Sequence, residues 1–294
     1  MSDKDPEREL TGRKFYPAGQ EAAFFEGRPH QTPQTQHPAY KLAYRDTDFL
    51  LREELRPVRF QLELLKPEML LDEARVGSTL VIYGSARIPS PQEAEALIEA
   101  ASTGTEFEQK VARNLAAKAR YYDEAYNLAR MVSEKAIIEG GKRQFVITTG
   151  GGPSIMEAGN RGASDAGAES IGLNIVLPHE QAPNSYVTPY LSFQFHYFAL
   201  RKMHFLLRAR ALAVFPGGFG TLDEFLELLT LIQTGKMKPI PILLFGKEFW
   251  SKVINFEALA EEGTVSPKDL DLFRWCETAE EAWCHIAEFY DLER

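Results

Sequence analysis

The chain has 294 residues, of which 44% are hydrophobic and 26% charged, enough to build a sizeable hydrophobic core. Acidic residues outnumber basic ones by 42 to 33, and the net charge of −9 argues against a broad nucleic-acid-binding surface. No apolar run reaches the roughly 18 residues of a membrane helix, no signal-peptide core is present, and the cysteines and histidines lack zinc-binding spacing. We therefore expect a soluble cytoplasmic protein that binds no nucleic acid or membrane and requires neither a metal nor another cofactor.

The first 75 residues are predicted to form a polar, partly helical N-terminal extension ahead of a main domain over residues 76–294. Residues 1–45 are rich in proline and glutamine, which is typical of a mobile tail. Their aromatic residues leave docking onto the body or a neighbouring subunit open: Phe15, Tyr16, Phe24 and Phe25. Beyond this tail the pattern becomes helical, and Pro57 and Pro67 are expected to break it into short helices.

The main domain alternates short apolar runs with helical patterns. The runs predict strands at residues 78–83, 145–149, 170–177, 192–196, 211–215, 240–245 and 273–276. A helical stretch over residues 91–140 is expected to split at residues 102–105, where Thr105 is a candidate N-cap with Glu108 completing a capping box. The pair Gly140 and Gly141 is expected to stop this stretch. The alternation predicts the α/β class, with a Rossmann-like open parallel sheet and helices on both faces.

Two glycine-rich turns follow predicted strands and share one pattern. Residues 149–157 read TGGGPSIME, and residues 215–224 read FPGGFGTLDE. In each, a hydroxyl residue precedes a glutamate by three positions, so Ser154 with Glu157 and Thr221 with Glu224 fit capping boxes. The same geometry also suits an anion, because glycines let backbone N–H groups approach a ligand at a helix N-terminus. Together with Gly84 after the first strand, the pair of turns favours a phosphate site.

Neither turn matches a standard nucleotide motif. The pattern GxxxxGK[ST] is absent, which excludes the Walker type of nucleotide hydrolase. The turn at residues 150–155 is not GxGxxG, so a mononucleotide is favoured over a dinucleotide. Arg201 and Lys202 lie between the two turns and would form either a solvated basic patch or a local cationic site for a phosphorylated substrate.

At these residues the sequence resembles the Lonely Guy (LOG) family. Residues 216–224 match its PGGxGTxxE motif, and Arg201 with Lys202 falls at its Arg-Lys pair. Residues 150–156 are similar to its GGGxxxxM turn, and Gly84 with Ser85 to its first loop. The motifs occur in the family's order over about residues 76–260. Residues 177–184 and 233–235 resemble the longer bacterial branch, and the short members lack the N-terminal 75 residues and most of the insertion at residues 86–140.

This resemblance implies a phosphoribohydrolase, which cleaves the N-glycosidic bond of a nucleoside 5′-monophosphate such as AMP or a cytokinin ribotide. It implies Arg201 and Glu224 as the catalytic pair, because a carboxylate at the ribose stabilises an oxocarbenium-like state or activates water. Arg201 would orient the phosphate or the ribose, or assist departure of the base. The substrate contacts implied are Gly84, Ser85, Gly150, Gly151, Gly152, Met156, Glu180, Lys202, Gly217, Gly218, Gly220 and Thr221. A homo-oligomer, either a dimer or an assembly of dimers, is also implied.

Several alternatives stay open from the residues alone. Met156 would equally be a core residue, and Glu180 an ordinary acid in a loop. The same loops would serve a non-catalytic carrier of a nucleotide-like cofactor, or a regulator whose N-terminal extension binds an effector. The old family label, possible lysine decarboxylase, is disfavoured because no lysine stands in a cofactor-binding context. An exposed Arg201 would contribute little to stability.

Overall fold

The structure is a computed structural model that describes residues 15–26, 31–178 and 182–293. The chain divides into two compact units, of which the first ends at Arg59 and the second begins at Phe60. The functional division into residues 1–75 and 76–294 stays a prediction. No helix in the described part of the chain combines the length and apolar character that a membrane crossing requires.

The described part of the first unit consists of short helical pieces, where the sequence suggested a polar tail. The α-helices are α1 (Ala18–Glu26), α2 (Pro33–Gln36) and α3 (Thr47–Leu50), and the 3₁₀ turns are Pro38–Tyr40, Ala43–Arg45 and Glu53–Leu55. Thr32 caps α2 and Asp46 caps α3 through side-chain oxygens. Phe15, Tyr16 and Phe24 are exposed.

Within the described residues, seven strands form one parallel sheet in the second unit. They are β1 (Thr79–Tyr83), β4 (Val146–Thr149), β5 (Ile171–Ile175), β6 (Ser192–Phe195), β7 (Ala209–Val214), β8 (Ile242–Phe245) and β9 (Arg274–Cys276). The hairpin strands β2 (Ile138–Glu139) and β3 (Lys142–Arg143) pair separately. The order across the sheet is β6-β5-β4-β1-β7-β8-β9, and every pairing is parallel.

Helices cover both faces of this sheet. They are α4 (Arg56–Glu73), α5 (Pro91–Ala100), α6 (Glu106–Ala116), α7 (Arg120–Glu134), α8 (Ile155–Asp165), α9 (Phe198–Leu207), α10 (Phe219–Gln233), α11 (Lys247–Val253), α12 (Phe256–Glu261) and α13 (Ala279–Tyr290), with 3₁₀ turns at Pro189–Leu191 and Pro267–Leu272. Alternate residues of β1 enter opposite cores: Val81 belongs to the same core cluster as Phe205 of α9, and Ile82 to the same cluster as Leu128 of α7. The predicted α/β class and parallel sheet are confirmed.

The strand order creates a switch point at β1. After β1, the strands β4, β5 and β6 are added in order on one side of it, and β7 then pairs with its other side. In open parallel sheets, ligands bind at the carboxyl ends of the strands where the order reverses. The loops that follow β1, β4 and β7 carry all the glycine turns singled out in the sequence, so the topology brings these turns to one edge.

Pro67 does not break α4, contrary to the sequence prediction. The helix continues from Arg56 to Glu73 with Pro67 buried inside it. Proline cannot donate to the carbonyl four residues earlier, which belongs to Glu63. That carbonyl instead lies 3.1 Å from Nε2 of buried His204 on α9, which therefore carries the proton and donates. A tertiary hydrogen bond satisfies the group that the proline leaves unpaired.

The helical stretch predicted over residues 91–140 is wrong at its end. The capping box of Thr105 and Glu108 is confirmed at the start of α6, but the stretch splits again before Arg120 and α7 ends at Glu134. Gly140 and Gly141 both have positive φ and form the turn between β2 and β3. A two-residue hairpin turn of that kind needs positive φ at both positions, and glycine adopts positive φ readily. The glycine pair therefore forms the turn of a hairpin here.

Candidate active site

A cavity of about 570 Å³ lies at the switch-point edge of the sheet. Its walls come from the loop after β1, from the start of α8, from α9 and from the start of α10. The lining residues are Gly84, Ser85, Ala86, Arg87, Met156, Arg201, Gly218, Phe219, Gly220, Thr221 and Glu224. The structure thus brings together eight of the residues that sequence analysis singled out, from four separate segments.

The second glycine turn opens directly into the cavity. A Cβ atom added at Gly218 or Gly220 would meet nothing within 4 Å, so these glycines leave open space. Gly217 does not line the cavity, and a Cβ atom there would lie 2.2 Å from Oγ1 of Thr221. Gly218 occupies the N-cap of α10, and no side chain caps that helix. The first backbone N–H groups of α10 are therefore available to an anion.

Neither predicted capping box forms. Ser154 has a φ of +64° and gives its hydroxyl to the carbonyl of Ile88 instead of capping α8. Thr221 lies inside α10, because the helix begins two residues earlier at Phe219. Glu224 is consequently not the acid of a cap, and its carboxylate is directed to Arg201. The predicted capping boxes are therefore wrong at both turns.

The first glycine turn packs closely against Arg201 and Met156, which line the cavity. A Cβ at Gly150 would lie 2.7 Å from Nη2 of Arg201 and 2.9 Å from Sδ of Met156. A Cβ at Gly152 would lie 2.6 Å from Cε of Met156. Gly151 has a φ of +74°, and a Cβ there would meet Oδ1 of Asn174 at 2.4 Å. Glycine at these positions lets the turn sit against the arginine without steric conflict.

A buried amide network fixes the shape of this turn. The Thr149 hydroxyl accepts from the N–H of Gly151 at 2.9 Å and donates to Oδ1 of Asn160 at 2.7 Å. Asn184 donates from Nδ2 to Oδ1 of Asn160 at 2.9 Å and to the carbonyl of Gly152 at 3.0 Å. Asn160 is fully buried, so removing its side chain would leave several polar partners unsatisfied. Sequence analysis missed Asn160 and Asn184; a polar residue on the apolar face of α8 was the available signal.

Arg201 and Glu224 form an ion pair at the cavity. Nη1 of Arg201 donates to Oε1 of Glu224 at 2.9 Å, and Nε donates to the carbonyl of Leu173 at 2.7 Å. Only 12% and 13% of the two side chains are exposed. Burial raises the pKa of the Glu224 carboxyl to about 7, although Arg201 acts to lower it. Burial also raises the pKa of the nearby Tyr83 phenol, and Glu224 raises it further.

Five predicted substrate contacts do not line the cavity: Gly150, Gly151, Gly152, Lys202 and Gly217. Lys202 points to α10, where its Nζ lies 2.9 Å from Asp223 and 3.2 Å from Glu227, and it does not line the cavity. Glu180 falls within residues 179–181, which lie outside the described residues. Arg87 and Phe219 line the cavity although sequence analysis gave them no role. The cavity wall therefore carries the Arg201–Glu224 pair beside the uncapped N-terminus of α10.

Comparison with known proteins found relatives of one family. The family model described as possible lysine decarboxylase matches residues 156–286, a span that includes Arg201, Lys202 and the whole turn at residues 216–224. The resemblance to the Lonely Guy family is confirmed. The probable cytokinin riboside 5′-monophosphate phosphoribohydrolase LOGL5 of Oryza sativa subsp. japonica is 26% identical over 175 residues, covering 58% of this chain and 67% of the relative. LOG3 of Arabidopsis thaliana, named cytokinin riboside 5′-monophosphate phosphoribohydrolase, is 25% identical over 175 residues, covering 58% and 77%.

One solved structure also overlays on most of the chain. The Moco carrier protein of Chlamydomonas reinhardtii matches with a TM-score of 0.44 and 15% identity, covering 73% of this chain and 98% of that one. A likeness of that degree says nothing about activity. The candidate site is the cavity lined by the loop after β1, by Arg201 of α9 and by the starts of α8 and α10.

Proposed function

We propose that this chain is a phosphoribohydrolase that cleaves the N-glycosidic bond of a nucleoside 5′-monophosphate. The products would be a free base and ribose 5-phosphate. The observation that carries the proposal is the buried pair of Arg201 and Glu224 on the wall of a cavity whose neighbouring wall is the uncapped start of α10. The names of the LOG relatives describe the same reaction class.

The geometry suits the phosphate end of such a substrate at α10. The open space at Gly218 and Gly220 admits a phosphate to the first N–H groups of the helix. Glu224 lies one helical turn further along, and a turn rises about 5.4 Å. A ribose attached to that phosphate would therefore come within reach of the Glu224 carboxylate.

The chemistry then follows from charge. As the glycosidic bond breaks, positive charge develops on the ribose ring, and an adjacent carboxylate stabilises it or activates the attacking water. A carboxyl group with a pKa of about 7 is suited to general acid–base work near neutral pH. Arg201 holds the carboxylate in position and favours its ionised form.

A decarboxylase, the activity in the family model's description, fits the site less well. Pyridoxal phosphate chemistry needs a lysine amine in the site to form a Schiff base. Among the described residues that line the cavity there is no lysine, and Lys202 is engaged by Asp223 and Glu227. A non-catalytic carrier remains the second candidate, since the same turns would hold a nucleotide-like ligand without cleaving it.

A panel of nucleoside 5′-monophosphates tests the proposal. AMP, GMP, CMP, UMP and a prenylated AMP are incubated with the protein, and free base and ribose 5-phosphate are quantified by chromatography. We expect release of base from at least one of them, and much lower kcat/KM for the matching nucleoside, which lacks the phosphate. Tight binding of a monophosphate without any release would favour the carrier, and comparable turnover of adenosine and AMP would contradict the phosphate site.

We also propose that the protein forms a homo-oligomer. Phe225, Leu228 and Ile232 of α10 are buried in the core, but Leu226 on the same helix is 42% exposed. The neighbouring helix α9 exposes Phe198, Met203 and Leu207. Apolar side chains exposed on two adjacent helices are typical of a surface that associates with another copy.

A further inference from the structure

The loop between β1 and α5 contributes a cation to the cavity that the proposed chemistry does not yet use. Its start is tied to the second glycine turn, because the N–H of Ser85 donates to the carbonyl of Pro216 at 3.1 Å. Its end is tied to the first glycine turn, because the Ser154 hydroxyl donates to the carbonyl of Ile88, which is buried. The loop is therefore held on both sides of the cavity.

Arg87 lies between these two anchors. Its N–H donates to the hydroxyl oxygen of Ser85 at 3.0 Å, which sets the direction of the backbone at this point. The residue is exposed and lines the cavity together with Gly218, Gly220 and Thr221. Arg87 thus borders the same cavity as the uncapped start of α10.

The charges around the cavity distinguish Arg87 from the other cations. Arg201 donates to the carboxyl of Glu224 at 2.9 Å, so it already has an acidic partner. Lys202 is balanced by Asp223 and Glu227. In the part of the chain that the structure describes, no carboxylate lies within 4.0 Å of the Arg87 guanidinium. An unbalanced cation at the wall of a ligand cavity favours an anionic ligand.

We infer that Arg87 binds the 5′-phosphate of the substrate and balances its charge. A phosphate monoester carries about −1.5 to −2 charges at pH 7. The N-terminus of a helix offers roughly half a positive charge. The guanidinium supplies a full charge and two parallel N–H donors that match phosphate oxygens. Arg87 would act as a binding residue, whereas Arg201 positions Glu224.

This inference rests on the proposed function and gives the two arginines separate roles, phosphate binding for Arg87 and positioning of Glu224 for Arg201. A phosphate dianion close to Glu224 would oppose ionisation of that carboxyl. Arg87 offsets the negative charge at the phosphate end, so that Arg201 is left to Glu224. Loss of Arg87 should therefore act first on KM for phosphorylated substrates, while a nucleoside, which lacks the phosphate, should be affected little.

The test measures binding of ribose 5-phosphate by calorimetry, which needs no turnover. The variants are R87A, R87K and the control R113A, which removes an exposed arginine on α6 away from the cavity. We expect R87A to weaken binding about 10- to 100-fold, as for the loss of a hydrogen bond to a charged group. R87K, which keeps the charge but loses the bidentate geometry, should recover part of this affinity, and R113A should match the wild type.

Two outcomes separate this inference from the proposed function. If the wild type binds ribose 5-phosphate and cleaves AMP, and R87A does both with unchanged affinity and KM, the role of Arg87 is overturned and the proposed function stands. If the wild type binds neither ribose 5-phosphate nor any nucleoside monophosphate, both are overturned. Melting temperatures of all variants are compared with the wild type, and a lower affinity supports the inference only for an R87A protein that melts as the wild type does.

Discussion

Arg201 and Glu224 are separated by 23 residues in sequence, yet their side chains meet at 2.9 Å with little exposure to solvent. The contact joins α9 to α10 and lies on the cavity wall. Because both charges are largely buried, each depends on the other, unlike the partners of an exposed ion pair. The sequence suggested an exposed Arg201 of little consequence for stability, and the structure corrects that view.

Substitution of Glu224 by glutamine should separate catalysis from folding. No cap is lost, because α10 is not capped by this side chain, so the variant should fold. Loss of the negative charge where positive charge develops should lower kcat for AMP cleavage by about 10²–10³-fold. The matched control is Asp223→Asn, which neutralises the adjacent, more exposed acid on the same helix and should retain activity. Near-wild-type hydrolysis by the Glu224 variant would remove this residue from the mechanism.

The rate of AMP cleavage should depend on the ionisation of Glu224. With its pKa raised to about 7 in the free protein, the carboxylate form grows as the pH rises through neutrality. We expect kcat/KM to increase from pH 5.5 and to level off above about pH 8, after correction for the ionisation of the substrate phosphate. A profile that is flat from pH 5.5 to pH 8 would contradict a catalytic carboxylate at this position.

The same pKa has a consequence for stability, with a definite sign. Glu224 binds its proton more tightly in the folded state, at about 7, than in the unfolded chain, at about 4.5. Its contribution to stability is therefore fully present at pH values below the unfolded-state pKa of about 4.5. That contribution is lost as the pH rises through the folded-state pKa of about 7. Urea unfolding at pH 5 and pH 8 should show Glu224→Gln gaining stability relative to the wild type at the higher pH. An unchanged difference between the two proteins would show that burial does not perturb this carboxyl.

Replacement of Arg201 by alanine should reduce both activity and stability. The variant leaves a buried carboxylate without its partner, and breaking such a pair typically costs about 3–5 kcal/mol. The loss should be smaller at pH 5, where Glu224 is mostly protonated, than at pH 8. Arg201→Lys keeps a charge at this position and serves as the control in the same unfolding measurements. Equal stability of Arg201→Ala and the wild type at pH 8 would mean that the pair is not buried in solution.

The apolar surface on α9 and α10 can be tested by introducing charge. Leu226→Glu and Met203→Glu place carboxylates on side chains that are 42% and 44% exposed and that the core does not need. If this surface joins copies of the chain, light scattering should show the wild type as an oligomer and the variants shifted towards monomer. Val253→Glu, at a side chain of similar exposure on α11, is the control. A monomeric wild type at micromolar concentration would rule the association out.

The sequence by itself determined the architecture and which glycine turns meet at one edge of the sheet. The short continuous apolar runs at β1, β4 and β7, each followed by glycines, predict parallel strands whose carboxyl ends share one edge. Gly84, Gly218 and Thr221 indeed line one cavity, together with Arg201 and Glu224. These features are local patterns repeated along the chain. Because the carboxyl ends of parallel strands lie at the same edge of a sheet, the turns that follow them lie close together.

Only the tertiary structure decided what individual residues do. Pro67 remains inside a helix because His204, distant in sequence, supplies a hydrogen bond to the carbonyl of Glu63. Thr221 and Glu224 fit a capping box by spacing, but Arg201 takes the carboxylate instead. In each case a partner far along the chain outweighs the local preference, because a buried polar or charged group must be satisfied wherever a partner lies. Spacing along the chain carries no information about such partners, so the sequence could locate the site but not assign its charges.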